Sequence, residues 1–374
     1  MLTVRVVRHK RDKKKFVEFP LKLYKNNEYF VPCLYGDEIA LLNGKNSYGN
    51  VSETEFFLAE RDGKVVGRIQ AIIQHQYNEM HNEKRARFTR FDSIDDREVS
   101  DALFSAAEGW AKERGMDTIC GPLGFSDLDR EGLLIEGFDQ TQTFEEQYNY
   151  DYYPKLVEAY GFKKEVDWLE FRLFAPEKHD DTFSRLAKRV LEMHELHIAD
   201  STIPKKKYIE KYKDGFFECL DLCYRHLYGT VPFTEEMKKE IIGQFMLLLS
   251  PENLIIICDK NERVVSFALC FPSIGSAIQK SGGRLTIPAL LKLLKLVKKP
   301  KVLDFGLVAV LPEYQNAGIN AVYVDFMIST LTSGKYEYFE TNLNLETNHQ
   351  VMAQWKYLKA VNHKRRRAYI KSID

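Results

Sequence analysis

The hexapeptide Gln315-Asn316-Ala317-Gly318-Ile319-Asn320 lies between a run that reads as a strand, Val302–Val310, and one that reads as a helix, Ala321–Ile328. Leu311-Pro312-Glu313-Tyr314 stops the strand. A glycine at 318 lets the backbone approach a ligand closely, and the amides that open a helix have no partner of their own. Such a turn suits phosphate; the alternative is an ordinary strand-to-helix connection. A second acidic, turn-rich segment, Gly121–Leu134, carries Asp127, Asp129 and Glu131. The bidentate Glu spacing of a calcium loop is absent, so these read as solvated loop charges. Cys219 and Cys223, four apart on one helix face, read as buried thiols, because no Cys-x-x-Cys spacing marks a zinc or redox site.

The stretch Val310–Asn320 resembles motif A of the GNAT acetyltransferases, a Val-x-Pro-Glu-Tyr stem followed by Gln/Arg-x-x-Gly-x-Gly/Ala, with Asn320 standing at the last motif position. The resemblance implies that Gln315, Asn316, Ala317, Gly318, Ile319 and Asn320 cradle the pyrophosphate of acetyl-CoA or another acyl-CoA. It implies that the backbone of Val308 and Val310 meets the pantetheine arm and the thioester oxygen. Asp304 falls eleven residues before Gln315, where a GNAT branch carries its general base; Glu340 on the next strand competes for that role. The alternative for Asp304 is a strand-edge carboxylate in solvent or paired with Lys301. The family also places a Tyr seven residues after an Asn in its last helix, as general acid. Counting from Asn348 gives Trp355, so Tyr357, another phenol or water must protonate the thiolate. Acyl transfer of this kind takes a small-molecule or peptide amine as acceptor and needs no metal.

These residues need elements to hold them, and the chain repeats its plan. Glu60–Gly67 lines up with Asp259–Ser266, 199 residues on, each a charged turn between β-branched and aromatic runs. Gly115 and Gly334 each close a helix before a strand. The difference in spacing is taken up by an insertion, 275–301, whose Leu285–Lys299 core has lysines at helical spacing and an apolar face. The insertion is expected to wall the acceptor site, with membrane contact the less favoured reading. An order of β, αα, βββ, α, β, α, β in both halves gives an α/β, mixed-sheet protein: two GNAT-like folds in tandem. The expected units are residues 1–176, without a working phosphate loop because Asp96, Val99 and Asp101 stand in for Gln315, Gly318 and Asn320; a connecting helix at 177–193; and residues 194–374 with the acyl-CoA site.

Composition narrows the function classes. Fifty-four basic residues balance 54 acidic ones, so no net field draws the chain to nucleic acid. The first residues lack an apolar run and no stretch of eighteen apolar residues occurs, so a cytoplasmic location is expected without signal peptide or span. Lys364-Arg365-Arg366-Arg367 reads as the solvated start of the last strand. The rivals to acyl transfer are Fem-type aminoacyl transfer and a non-catalytic acyl-CoA scaffold; the oligomeric state is not legible.

Overall fold

The computed structural model describes residues 1–178 and 180–373. The first part of the chain forms β1 (Leu2–Val6), α1 (Lys10–Leu23), α2 (Tyr35–Leu42), β2 (Ser52–Arg61), β3 (Lys64–Gln74), α3 (His75–His81), β4 (Arg85–Ser93), α4 (Arg97–Lys112), β5 (Thr118–Gly121), β6 (Leu133–Glu136), α5 (Tyr153–Ala159) and β7 (Lys163–Phe174). After α6 (Thr182–Met193) come β8 (His197–Ile198), α7 (Lys205–Tyr224), α8 (Glu235–Phe245), β9 (Leu254–Cys258), β10 (Val264–Pro272), α9 (Gly275–Ile278) and α10 (Ile287–Lys298). The chain ends with β11 (Val302–Val310), α11 (Asn320–Thr332), β12 (Tyr338–Thr341), β13 (Asn344–Leu345), α12 (His349–Met352) and β14 (Lys359–Ser372).

All fourteen strands join one mixed sheet, in the order β1-β2-β3-β4-β5-β14-β7-β12-β11-β10-β9-β8, with β6 on β14 and β13 on β7. The two halves have exchanged their last strands: β14 lies beside β5 and puts Tyr369 into the first apolar core, whereas β7 pairs with β12. β14 and β7 run antiparallel along nearly their whole lengths, from Lys359↔Phe174 to Ile370↔Lys163. The second core gathers Ile256, Phe267, Val324 and Met327 on the other side of this seam.

The end of the chain departs from the sequence reading. The last helix of the sequence plan, counted from Asn348, stops at Met352, and strand takes over at Lys359. The basic run is therefore mid-strand. Lys364 and Arg366 are buried rather than solvated, and alternate with outward-facing Arg365 and Arg367. A buried cation persists only with partners. Lys364 Nζ meets the Glu170 carboxylate and lies 3.4 Å from Glu340; Arg366 Nε is 2.6 Å from the other oxygen of Glu170. These contacts link β14, β7 and β12, the strands of the exchange.

Candidate active site

β11 and β12 are parallel only from Val302↔Tyr338 to Phe305↔Thr341, after which the strands part. The remaining half of β11 pairs with β10 alone, leaving one edge without a neighbouring strand. Val308 turns its N–H and C=O to that open edge, where both meet the Tyr224 hydroxyl, at 3.4 and 3.1 Å. The Val310 carbonyl faces the same way and accepts from Cys223 Sγ at 3.1 Å. Burial pushes the Tyr224 phenol above its ordinary pKa, so it stays a neutral donor.

Beyond β11 the chain makes a short 3-10 turn, Pro312–Tyr314, and enters α11. Gly318 has φ +79°, the left-handed region, and a β-carbon there would sit 3.3 Å from Val190 Cγ2 of α6. The amides of Gln315 and Ala317 are satisfied within the turn. Those of Asn316, Gly318, Ile319 and Asn320 have no acceptor among the described residues. This is the unpaired donor set of a helix start, together with the positive end of the α11 dipole. The corresponding turn of the first half is closed: the Asp96 carboxylate caps the Val99 amide at 3.3 Å and pairs with Arg61 at 2.6 Å.

The open edge faces a cavity of about 1160 Å³. One wall is a ladder on α7 in which every fourth residue points inward: Tyr208, Tyr212, Phe216, Leu220 and Tyr224. Opposite lie Val308, Val310, Gln315, Asn316, Ile319, Asn320, Asn348 and Trp355. Trp355 is buried and its indole N–H has no partner. Ala317 and Gly318 are not in the lining, and Asn348 spends its side-chain oxygen capping the Val351 amide of α12.

Carboxylates collect at the end of the cavity nearest the sheet seam. Asp304 is 2% exposed, neither in solvent nor paired with Lys301, and neither of its oxygens has a normal hydrogen bond. Burial, and then the charge of Glu340 beside it in register, hold its pKa well above the ordinary range. Against burial, His363, Lys364 and Arg172 hold Glu340 below its ordinary value. The two candidates thus differ: burial and a neighbouring carboxylate raise Asp304, whereas Lys364 and Arg172 help to hold Glu340 low. Neither side chain lines the cavity. Glu145 and Glu146 do, and sequence reasoning did not single them out. Burial and then the nearby Asp304 push Glu145 well upward, and burial brings Glu146 to about 7. Glu131, expected in solvent, is buried in the same wall and Asp127 is half-buried there, its pKa raised by desolvation to about 7.

Tyr357 stands apart from all of this. It is 37% exposed, packs edge-on against Phe183 and is absent from the cavity. The early end of α12 carries it away, while Trp355 turns inward. The tyrosines from 148 to 153 dock their loop: Tyr148, Tyr150 and Tyr152 donate to the carbonyls of Phe138, Leu23 and Ser93. Among the described residues no cluster of three or more His, Cys, Asp or Glu side chains is placed to hold a metal.

No family model matches the sequence. It is 29% identical to protein YghO of Escherichia coli (strain K12) over 99% of this chain and 95% of that one. It is 24% identical to the bacterial ceramide synthase of Caulobacter vibrioides (strain NA1000 / CB15N) over 76% and 73%. Among solved structures, a tandem GNAT protein from the clavulanic acid biosynthesis pathway superposes over 100% of this chain and 99% of its own, with TM-score 0.56 and 11% identity. The GCN5-related glucosamine N-acetyltransferase region of a fungal multi-domain GH3 β-N-acetylglucosaminidase covers 99% of this chain and 38% of that chain, with TM-score 0.58 and 11% identity. With the parted strands, the glycine turn and this coverage, the chain has the fold of two GNAT units in tandem.

Proposed function

We propose that the protein is an N-acyltransferase whose single acyl-CoA site lies in the second half and whose acyl donor or amine acceptor carries a long aliphatic chain. The observation that carries this reading is the joining of two features in one cavity: the unpaired helix-start amides of Asn316, Ile319 and Asn320 and a wall of aromatic and aliphatic side chains far larger than an acetyl group needs. Asn316, Gly318, Ile319 and Asn320 would hold the pyrophosphate through their amides, and the strand-free edge of β11 at Val308 and Val310 would hold the pantetheine arm once Tyr224 and Cys223 give up its backbone groups. When bound, coenzyme A supplies an acyl group activated as a thioester. The likeness to a ceramide synthase agrees with a lipid amine as acceptor.

The chain's own groups divide the proton work. A protonated amine, with a pKa of about 10, must lose a proton before it can attack. Glu145 and Glu146 face the cavity, and burial raises both; Glu146, brought to about 7, is the one poised to accept a proton at neutral pH. Asp304 lies behind them and tunes Glu145 by its charge. The thiolate that departs needs a proton donor at the open strand edge, and Tyr224 is the neutral phenol there. Trp355 is a donor only and serves to orient, not to titrate.

The test is release of free thiol from acyl-CoA donors of increasing chain length, with short amines and long-chain amino alcohols as acceptors. Turnover that rises with donor or acceptor chain length is expected. Tight acyl-CoA binding with no thiol released for any amine would make the protein a scaffold instead.

A further inference from the structure

The insertion between β10 and β11 does not wall the cavity: none of residues 275–301 is in its lining. Its helix α10 buries only Ala289 and Leu293. Ile287 is 78% exposed, Leu291 63%, Leu294 45% and Leu290 41%, and Leu285 just before the helix is 55% exposed. At 100° per residue, positions 287, 290, 291 and 294 form one stripe, directed away from the buried Ala289–Leu293 side. Four large aliphatic side chains in one exposed row are more than scattered surface apolars.

The charge around the stripe is of one sign. From 275 to 301 the sequence has seven basic residues, Lys280, Arg284, Lys292, Lys295, Lys298, Lys299 and Lys301, and no acidic one. Arg284 is paired with Glu18, Lys301 with Glu337, and Lys292 donates to the Ser276 carbonyl. Lys280, Lys295, Lys298 and Lys299 have no ion pair among the described residues. Lys295 flanks the stripe, Lys298 prolongs it at its last turn, and Lys299 follows just past the helix end. No helix among the described residues is long and apolar enough to cross a membrane.

We infer that α10 docks the protein on the surface of an anionic lipid bilayer, with Leu285, Ile287, Leu290, Leu291 and Leu294 in the acyl-chain boundary and Lys295, Lys298 and Lys299 among the headgroups. An amphipathic helix of this build buries its apolar face by ~5–10 Å, and each nearby lysine adds attraction to anionic lipid. The free lysines argue for this occupant: a second copy of the chain would bring the same unpaired positive charges face to face. The inference rests on the exposed helix and stands whether or not the protein transfers acyl groups.

Sedimentation of the full-length protein with phosphatidylcholine vesicles, with and without phosphatidylglycerol, tests it. Binding to the anionic vesicles is expected, weaker on the neutral ones and reduced by added salt. Leu290→Gln/Leu291→Gln/Leu294→Gln should weaken partition at least tenfold. Lys295→Glu/Lys298→Glu/Lys299→Glu should abolish the preference for anionic lipid. All six positions are exposed, and an unchanged melting temperature confirms that each variant folds. Absence of binding by the wild type, or binding untouched by both variants, would overturn the inference. So would self-association in equilibrium ultracentrifugation that the Leu→Gln variant removes while vesicles bind neither protein.

Discussion

Lys364→Met probes the seam between the two halves. The Lys364 ammonium is fully buried between Glu170 of β7 and Glu340 of β12. Against burial, Lys364 and then Arg366 hold Glu170 at about 2, from an ordinary 4.5. Breaking a buried pair by removing one partner costs ~3–5 kcal/mol by mutational precedent. Met fills the space of the lysine stem but leaves Glu170 to Arg366 alone. Urea unfolding at pH 7 should show a loss of about 3–5 kcal/mol, a large share of the ~5–15 kcal/mol that a folded protein has. The lowered pKa sets the sign with pH: this stabilisation is present above about pH 4.5 and is lost as pH falls through about 2. The gap between wild type and variant should narrow over that window. A single-variant loss under about 1 kcal/mol would refute the buried lattice as the link across the strand exchange.

Three further outcomes follow from the cavity. Tyr224→Phe should lower turnover roughly ten- to hundredfold, and Tyr357→Phe should leave it unchanged, as steady-state kinetics would show; the reverse ranking would return the acid role to Tyr357. Glu146→Gln should lower turnover by roughly a hundredfold with coenzyme A affinity held, and Asp304→Asn should shift the pH profile through Glu145; equal wild-type profiles in both would remove the carboxylate wall from the chemistry. Asp127, raised by burial to about 7, contributes stability that is present below about pH 4 and lost as pH rises to 7. Asp127→Asn should therefore raise stability at neutral pH, by up to about 4 kcal/mol, and flatten the pH dependence of urea unfolding.

What the sequence disclosed follows the range of its signals. Strand β11 and the start of α11 were legible because a β-branched run, a Pro-Glu stop and a glycine needing positive φ are local features. The hairpins of both halves were legible through a repeated charged turn. The strand exchange was not, because β14 pairs with β7 across almost 200 residues and either partner satisfies the same backbone pattern. That pairing in turn buried Lys364 and Arg366, which side-chain type alone assigns to solvent. The carboxylate wall has the same origin: Glu145, Glu146 and Asp127 sit on long loops whose path only the fold sets. One signal was available and passed over. Tyr208, Tyr212, Phe216, Leu220 and Tyr224 recur every four residues, marking an apolar face of α7 that now lines the cavity. Asp304 was singled out by spacing, but its raised pKa comes from burial and then from Glu340 in the next strand, which spacing does not show.

The central claim is one acyl-CoA site per chain, at the 315–320 turn. Isothermal calorimetry of coenzyme A with the wild type and with Gly318→Asp tests it directly, with circular dichroism to confirm that the variant folds. The account predicts one site in the wild type and none in the variant, since a carboxylate at 318 brings negative charge to the unpaired amides. Two equal sites, no site, or unchanged affinity in Gly318→Asp would contradict it.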